Sequence, residues 1–211
     1  MLKLFTPVAI VCDHTMTEQA SALRGMLESF RLRVDFYRFV QKPQVFDFFV
    51  QPRNYAYTII FCHGGGDTPE DMALRLDVVD QASGDYENEE GWDSVIVELT
   101  PEKIAEHVQN REGTLIAMSC GAGRQPLAEA FLKSGYRSYI GPTEGYVDTV
   151  SGLVFAVNFF YNLMTRERDY GRDHTTATYT EQEAVKEAAK LDPDFRYGPK
   201  LFRCYTKKEG I

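Results

Sequence analysis

Cysteine is scarce in this chain: Cys12, Cys62, Cys120 and Cys204 are the four in 211 residues, and no two form a CxxC pair. That is too few for a disulfide scaffold. Long apolar runs are missing as well. The longest, Leu153 to Met164, is broken by Asn158 and Asn162 and falls well short of the ~20 residues that span a bilayer. Basic residues are outnumbered, 23 Lys and Arg against 31 Asp and Glu, for a net charge of -8. Without a cationic excess, neither a nucleic-acid backbone nor an anionic membrane is expected as the main partner. The acidic balance serves solubility first, and a preference for basic substrates is its second meaning.

Repeats, low-complexity tracts and Pro/Gly/Ser-rich linkers are absent, so one domain over residues 1–211 is expected. A hydrophobic share of 44% with 26% charged residues excludes wholesale disorder. The opening MLKLFTPVAIVCDH meets Asp13 and His14 where a cleavage site needs small residues, so it reads as a first strand and not a signal peptide. A reduced, soluble, cytoplasmic protein is the expectation.

What is present is an alternation of strands and helices. Thr6 to Cys12, Tyr55 to Cys62 and Thr114 to Ser119 are apolar runs of the kind that strands buried on both faces show. Val34 to Val40 alternates as a further strand, Arg137 to Ile140 starts another, and Lys200 to Thr206 suits a polar edge strand. Helices are expected from a Thr15/Glu18 capping box to about Arg31, from Thr100-Pro101, over Gln125 to Lys133, from Val150 to Met164, and from a Thr180/Glu183 capping box. This order predicts an α/β fold of three layers, with a mostly parallel sheet of roughly six strands between helices. One stretch breaks the rhythm. Residues 64–98, with SGDYENEEGWD inside them, read as a long acidic insertion loop; residues 166–211 read as a C-terminal helix and edge strand.

In open parallel sheets, ligands bind beyond the carboxyl ends of the strands. Here those ends carry Cys12-Asp13-His14, then Cys62-His63-Gly64-Gly65-Gly66, then Ser119-Cys120-Gly121. A thiol, with an ordinary pKa of about 8.5, needs a nearby base to become a nucleophile. A histidine can take that proton and later give one to a leaving amine. Glycines beside both groups let a substrate carbonyl approach the backbone, where the N–H groups of Gly64 and Cys120 could receive an oxyanion.

The motifs YTIIFCHGGGD and TLIAMSCGAGR resemble those of the caspase-like peptidases, the group of caspases, metacaspases, separase, gingipains and bacterial CHAT domains. The segment VIVELTPEKIAEHVQNREGTLIAMSC is similar to the CHAT arrangement of a Leu-Thr helix start, a helix and the cysteine strand. LAEAFLKSGYRSYIGPTEGYVDTVSGLVFAVNFFYNLM extends the resemblance, which spans Thr6 to Met164; the triple glycine and the tail beyond Arg166 depart from it. The resemblance implies a caspase-like sandwich and a cysteine peptidase acting on peptide or protein substrates, with no cofactor and no metal. It makes His63 the general acid/base, Cys120 the nucleophile and Gly64 N–H an oxyanion donor. It also implies that Asp13, near the end of the first strand, could line a pocket for a basic side chain. A helix cap or a loop hydrogen bond is the equal alternative for Asp13.

Three other readings compete. HGGG with Ala117-Met118-Ser119-Cys120-Gly121 suits a serine esterase of the α/β-hydrolase type, with His174 and Asp148 completing a triad. Cys12, His14, Cys62, His63 and Cys120 could gather around zinc, although adjacent residues such as Cys62 and His63 point apart. A caspase-like scaffold without activity is the third.

Overall fold

Side chains of Pro7–Cys12 alternate between two hydrophobic clusters, Val8, Ile10 and Cys12 joining one, Ala9 and Val11 the other. Such a strand needs cover on both faces, and the remaining elements supply it. The structure, a computed structural model, describes residues 5–51, 53–66, 68, 71–79, 94–109, 112–143, 147, 149–164, 179–190 and 202–207. In chain order these give β1 (Pro7–Cys12), α1 (Thr17–Ser29), β2 (Arg33–Arg38), α2 (Lys42–Val50), β3 (Tyr57–Phe61), β4 (His63–Gly65), β5 (Ala73–Val79) and β6 (Ser94–Leu99). There follow α3 (Pro101–His107), β7 (Thr114–Met118), α4 (Gln125–Lys133), β8 (Ser138–Pro142), α5 (Thr149–Leu163), α6 (Glu181–Ala189) and β9 (Phe202–Thr206).

The main sheet has six strands in the order β2-β1-β3-β7-β8-β9; the first five run parallel and β9 lies antiparallel along β8. Buried residues of α1, α5 and α6 pack on one face, and those of α2, α3 and α4 on the other. This is the three-layer, mostly parallel architecture expected. The sheet order reverses beside β1, which places a topological switch point between β1 and β3.

Two expectations are corrected. Strands occupy both ends of the stretch read as a 64–98 loop: β4, β5 and β6 form a second, antiparallel three-stranded sheet. In β5, Leu74, Leu76 and Val78 are buried while Arg75 and Asp77 between them are not, an alternation that marks a strand with one covered face. The acidic residues and Trp92 of SGDYENEEGWD lie outside the described residues. The Thr15/Glu18 capping box also does not form. Helix α1 starts after Met16 without a side-chain cap, because the Thr15 hydroxyl is engaged elsewhere. The Thr100 cap and the reciprocal Thr180/Glu183 capping box are both present.

At the amino edge of the sheet, Glu181 ties α6 to the strand starts. Its Oε1 accepts from Tyr57 (3.2 Å), Thr114 (2.7 Å) and Arg137 (2.6 Å). Burial alone would raise its pKa, but hydrogen bonds from Ser138, Thr114 and Arg137, with the Arg137 charge, hold it below the ordinary glutamate range. A folded-state pKa below the unfolded one contributes stability that is complete above the unfolded value and lost as pH falls through the folded one. Glu181→Gln should therefore cost about 1–2 kcal/mol near neutral pH, because Arg137 is exposed and its pairing is screened. In urea unfolding the gap from the parent protein should narrow as pH falls below the ordinary glutamate range.

Candidate active site

The chain leaves β3 and, after the single residue Cys62, enters β4, where His63 pairs with Arg75 of β5. His63 is therefore held on a strand ladder, exposed at the carboxyl edge of the main sheet. Cys120 follows β7, the neighbour of β3 in register from Tyr57↔Thr114 to Phe61↔Met118. Equal strand lengths in register bring both residue types to one edge, and they line one small cleft together with Met16, Phe61, Cys62, Gly64, Met118, Ser119, Val147 and Gly152.

The turn carrying Cys120 is fastened from several sides. Ala122 N–H donates to Ser119 O, and Gly123 N–H donates to Pro142 O at 2.6 Å. The phenols of Tyr139 and Tyr205 donate to the carbonyls of Ala122 and Gly123, each at 2.7 Å and buried. Arg124 reaches across to Gly66 O at 2.6 Å, linking the cysteine turn to the glycine run after His63. Gly64 lies so close to this turn that a Cβ there would overlap the Cys120 carbonyl oxygen. Val147 N–H donates to Cys120 Sγ at 3.4 Å, a contact that would favour negative charge on the sulfur.

The four thiols are not equivalent. Cys12 is fully buried, and burial, helped by the Asp13 charge, pushes its pKa up to about 11. Burial drives Cys62 higher still, in the company of the Asp13 charge. Cys120 is half-buried and faces the cleft. Cys204 is also half-buried but sits on β9, at the far edge of the sheet. Nucleophilic reactivity needs access, and in the cleft Cys120 has it.

Asp13 has an interior role. It is 0% exposed, and its Oδ1 accepts from Thr15 N–H (2.9 Å), Thr15 Oγ1–H (2.6 Å) and Met16 N–H (3.1 Å). Its Oδ2 accepts from Asp77 N–H at 3.0 Å, so the carboxylate is occupied by the turn after β1 and by β5. The loop-bonding alternative describes this geometry, and none of the four donors is a substrate's. Thr15 Oγ1 also lies 3.1 Å from His63 Nε2, a contact the sequence did not signal, because 48 residues separate the two.

Among the described residues, neither rival constellation is assembled. Ser119 is 4% exposed, with its hydroxyl buried beside Cys62 and Gly64. A nucleophile elbow holds its serine in a strained turn, whereas among the described residues the non-glycine residues with positive φ are Phe5 and Arg31. His174 and Asp148 lie outside the described residues. Cys12 and Cys62 belong to opposite faces of the sheet, and His14 donates from Nδ1 to Asp77 O at 3.0 Å, so the five zinc candidates do not converge. Among the described residues no group of three His, Cys, Asp or Glu side chains could hold a metal ion.

No protein-family model and no curated protein matches the chain. Among solved structures, the complex of the RgpB pro- and mature domains from Porphyromonas gingivalis is similar, with a TM-score of 0.54 at 9% sequence identity. The likeness covers 97% of this chain and 48% of that one, so the chain spans about half of that neighbour's length. At this identity the likeness carries the fold alone: a caspase-like α/β sandwich, as in that neighbour.

Proposed function

We propose that this chain is a cysteine peptidase of the caspase-like type, acting on peptide or protein substrates through Cys120 and His63. The observation that carries the reading is their placement. An accessible thiol and an exposed imidazole line one cleft at the carboxyl edge of the sheet, beside the switch point. In this mechanism Cys120 Sγ attacks the scissile carbonyl carbon while His63 takes the thiol proton. The oxyanion is received by the N–H groups of Gly64 and Cys120. His63 then protonates the leaving amine, and a water activated by the same imidazole hydrolyses the thioester. A free thiolate needs reducing surroundings, which favours the cytoplasm as the setting. Among the described residues no helix is long and apolar enough to cross a membrane.

A pocket for basic side chains at Asp13 would need a free carboxylate, and both of its oxygens are already filled by internal donors. Peptides carrying a cysteine-directed warhead after Arg, Lys, Asp or Leu should label Cys120 ahead of Cys12, Cys62 and Cys204. Intact mass and site mapping would show the label, and His63→Ala should abolish it. Equal labelling of Cys120 and Cys204, unaffected by His63→Ala, would sink the peptidase reading.

A further inference from the structure

The three groups at the ends of β1 and β3 form a chain of hydrogen bonds: Asp13 carboxylate, Thr15 hydroxyl, His63 imidazole. A threonine hydroxyl has one proton to donate. Thr15 spends it on Asp13 Oδ1, at 2.6 Å, the length of a strong bond to a carboxylate. Towards His63 Nε2, 3.1 Å away, Thr15 Oγ1 can then act as an acceptor alone. The ring must carry its proton on Nε2, which leaves the lone pair on Nδ1.

Asp13 is in turn locked, with Thr15 N–H and Met16 N–H on the same oxygen and Asp77 N–H on the other. Its burial makes those bonds hard to exchange for water. The Asp77 bond also anchors β5, the strand whose Arg75 pairs with His63 in the ladder. One buried carboxylate therefore stands behind both the hydroxyl that faces the imidazole and the strand that carries it.

We infer that Thr15 is a positioning residue, which, backed by Asp13, holds His63 as the Nε2–H tautomer with Nδ1 free to take the Cys120 proton. The inference rests on the peptidase reading for its catalytic consequence, but the tautomer is a property of the folded chain and can be read without any turnover.

The test uses the full chain labelled with ¹⁵N, at about pH 8, where an ordinary imidazole is neutral. Two-bond ¹⁵N–¹H spectra should show His63 as the Nε2–H tautomer in the parent protein and in Thr15→Ser. Thr15→Val should shift it toward Nδ1–H or a mixture; Thr15→Ala serves if the valine variant does not fold. Alkylation of Cys120 by iodoacetamide should slow about tenfold in Thr15→Val, the rate equivalent of one hydrogen bond, and recover in Thr15→Ser. An Nδ1–H tautomer in the parent protein, an unchanged tautomer in Thr15→Val, or an unchanged rate in Thr15→Val where His63→Ala slows alkylation, overturns the inference. If the tautomer follows Thr15 while Cys120 reactivity ignores His63→Ala, the positioning stands and the peptidase reading falls.

Discussion

Cys120→Ala is expected to lower peptide hydrolysis by about 10⁴-fold or more, whereas Ser119→Ala should leave the rate within a few-fold of the parent. The two residues are adjacent, and both motifs that contain them are short, so sequence does not choose between a thiol and a hydroxyl nucleophile. The structure separates them by access. Ser119 is 4% exposed and its oxygen faces inward against Cys62 and Gly64, so no carbonyl can reach it without opening the sheet edge. Cys120, one residue on, turns its sulfur to the cleft and to the Val147 N–H. In the proposed mechanism, losing the thiol removes the covalent step altogether. Losing the Ser119 hydroxyl removes one buried polar atom, a change near neutral for activity. Ester and peptide substrates should be run side by side. Hydrolysis that survives Cys120→Ala and disappears in Ser119→Ala would establish the esterase class instead.

Gly64→Ala should damage both stability and site, costing about 2–3 kcal/mol and slowing Cys120 alkylation on the order of 10²-fold. The new methyl would overlap the Cys120 carbonyl oxygen and stand 2.5 Å from Ser119 Oγ, inside any tolerable carbon–oxygen contact. The backbone carbonyl cannot swing away, because the turn behind it is fastened by Tyr139, Tyr205 and the Gly123–Pro142 bond. Strain therefore passes into the separation of β4 from the cysteine turn, which is the separation of His63 from Cys120. Gly25→Ala is the matching control. Gly25 is exposed within α1, nothing lies within 4 Å of its added Cβ, and the better helix former should stabilise the chain by about 0.5–1 kcal/mol. Thermal unfolding of the two variants beside the parent measures the stability effects. Unchanged stability in Gly64→Ala would mean that β4 does not press on the Cys120 turn.

Much of this architecture can be read from residue order, because it depends on local pattern. Runs such as TPVAIVC, YTIIF and TLIAM are apolar on both faces and can only be central strands, and a glycine or polar residue ends each at the sheet's carboxyl edge. His63 and Cys120 were legible for that reason, as the chemically able residues at two such ends. Capping signals at Thr100 and Thr180 worked because a cap bonds within three residues of itself. Helix α2 was not singled out, although Pro43 and the Gln41/Gln44 pair mark its start, and β5 was hidden by the acidic stretch that follows it.

Long-range pairing decided the rest. Thr15 and Glu18 have the spacing of a capping box, yet a buried carboxylate two residues earlier and an imidazole 48 residues later claim the hydroxyl. Asp13 reads equally as a specificity residue or a loop anchor until Asp77, 64 positions away, brings its N–H to the second oxygen. Sequence by itself determined which residue types stand at the strand ends, since burial pattern is written locally in the chain. The fold decided which of them face the cleft and which are consumed in holding it. A hydrogen-bond donor satisfied by a distant partner leaves no mark on its neighbours in sequence.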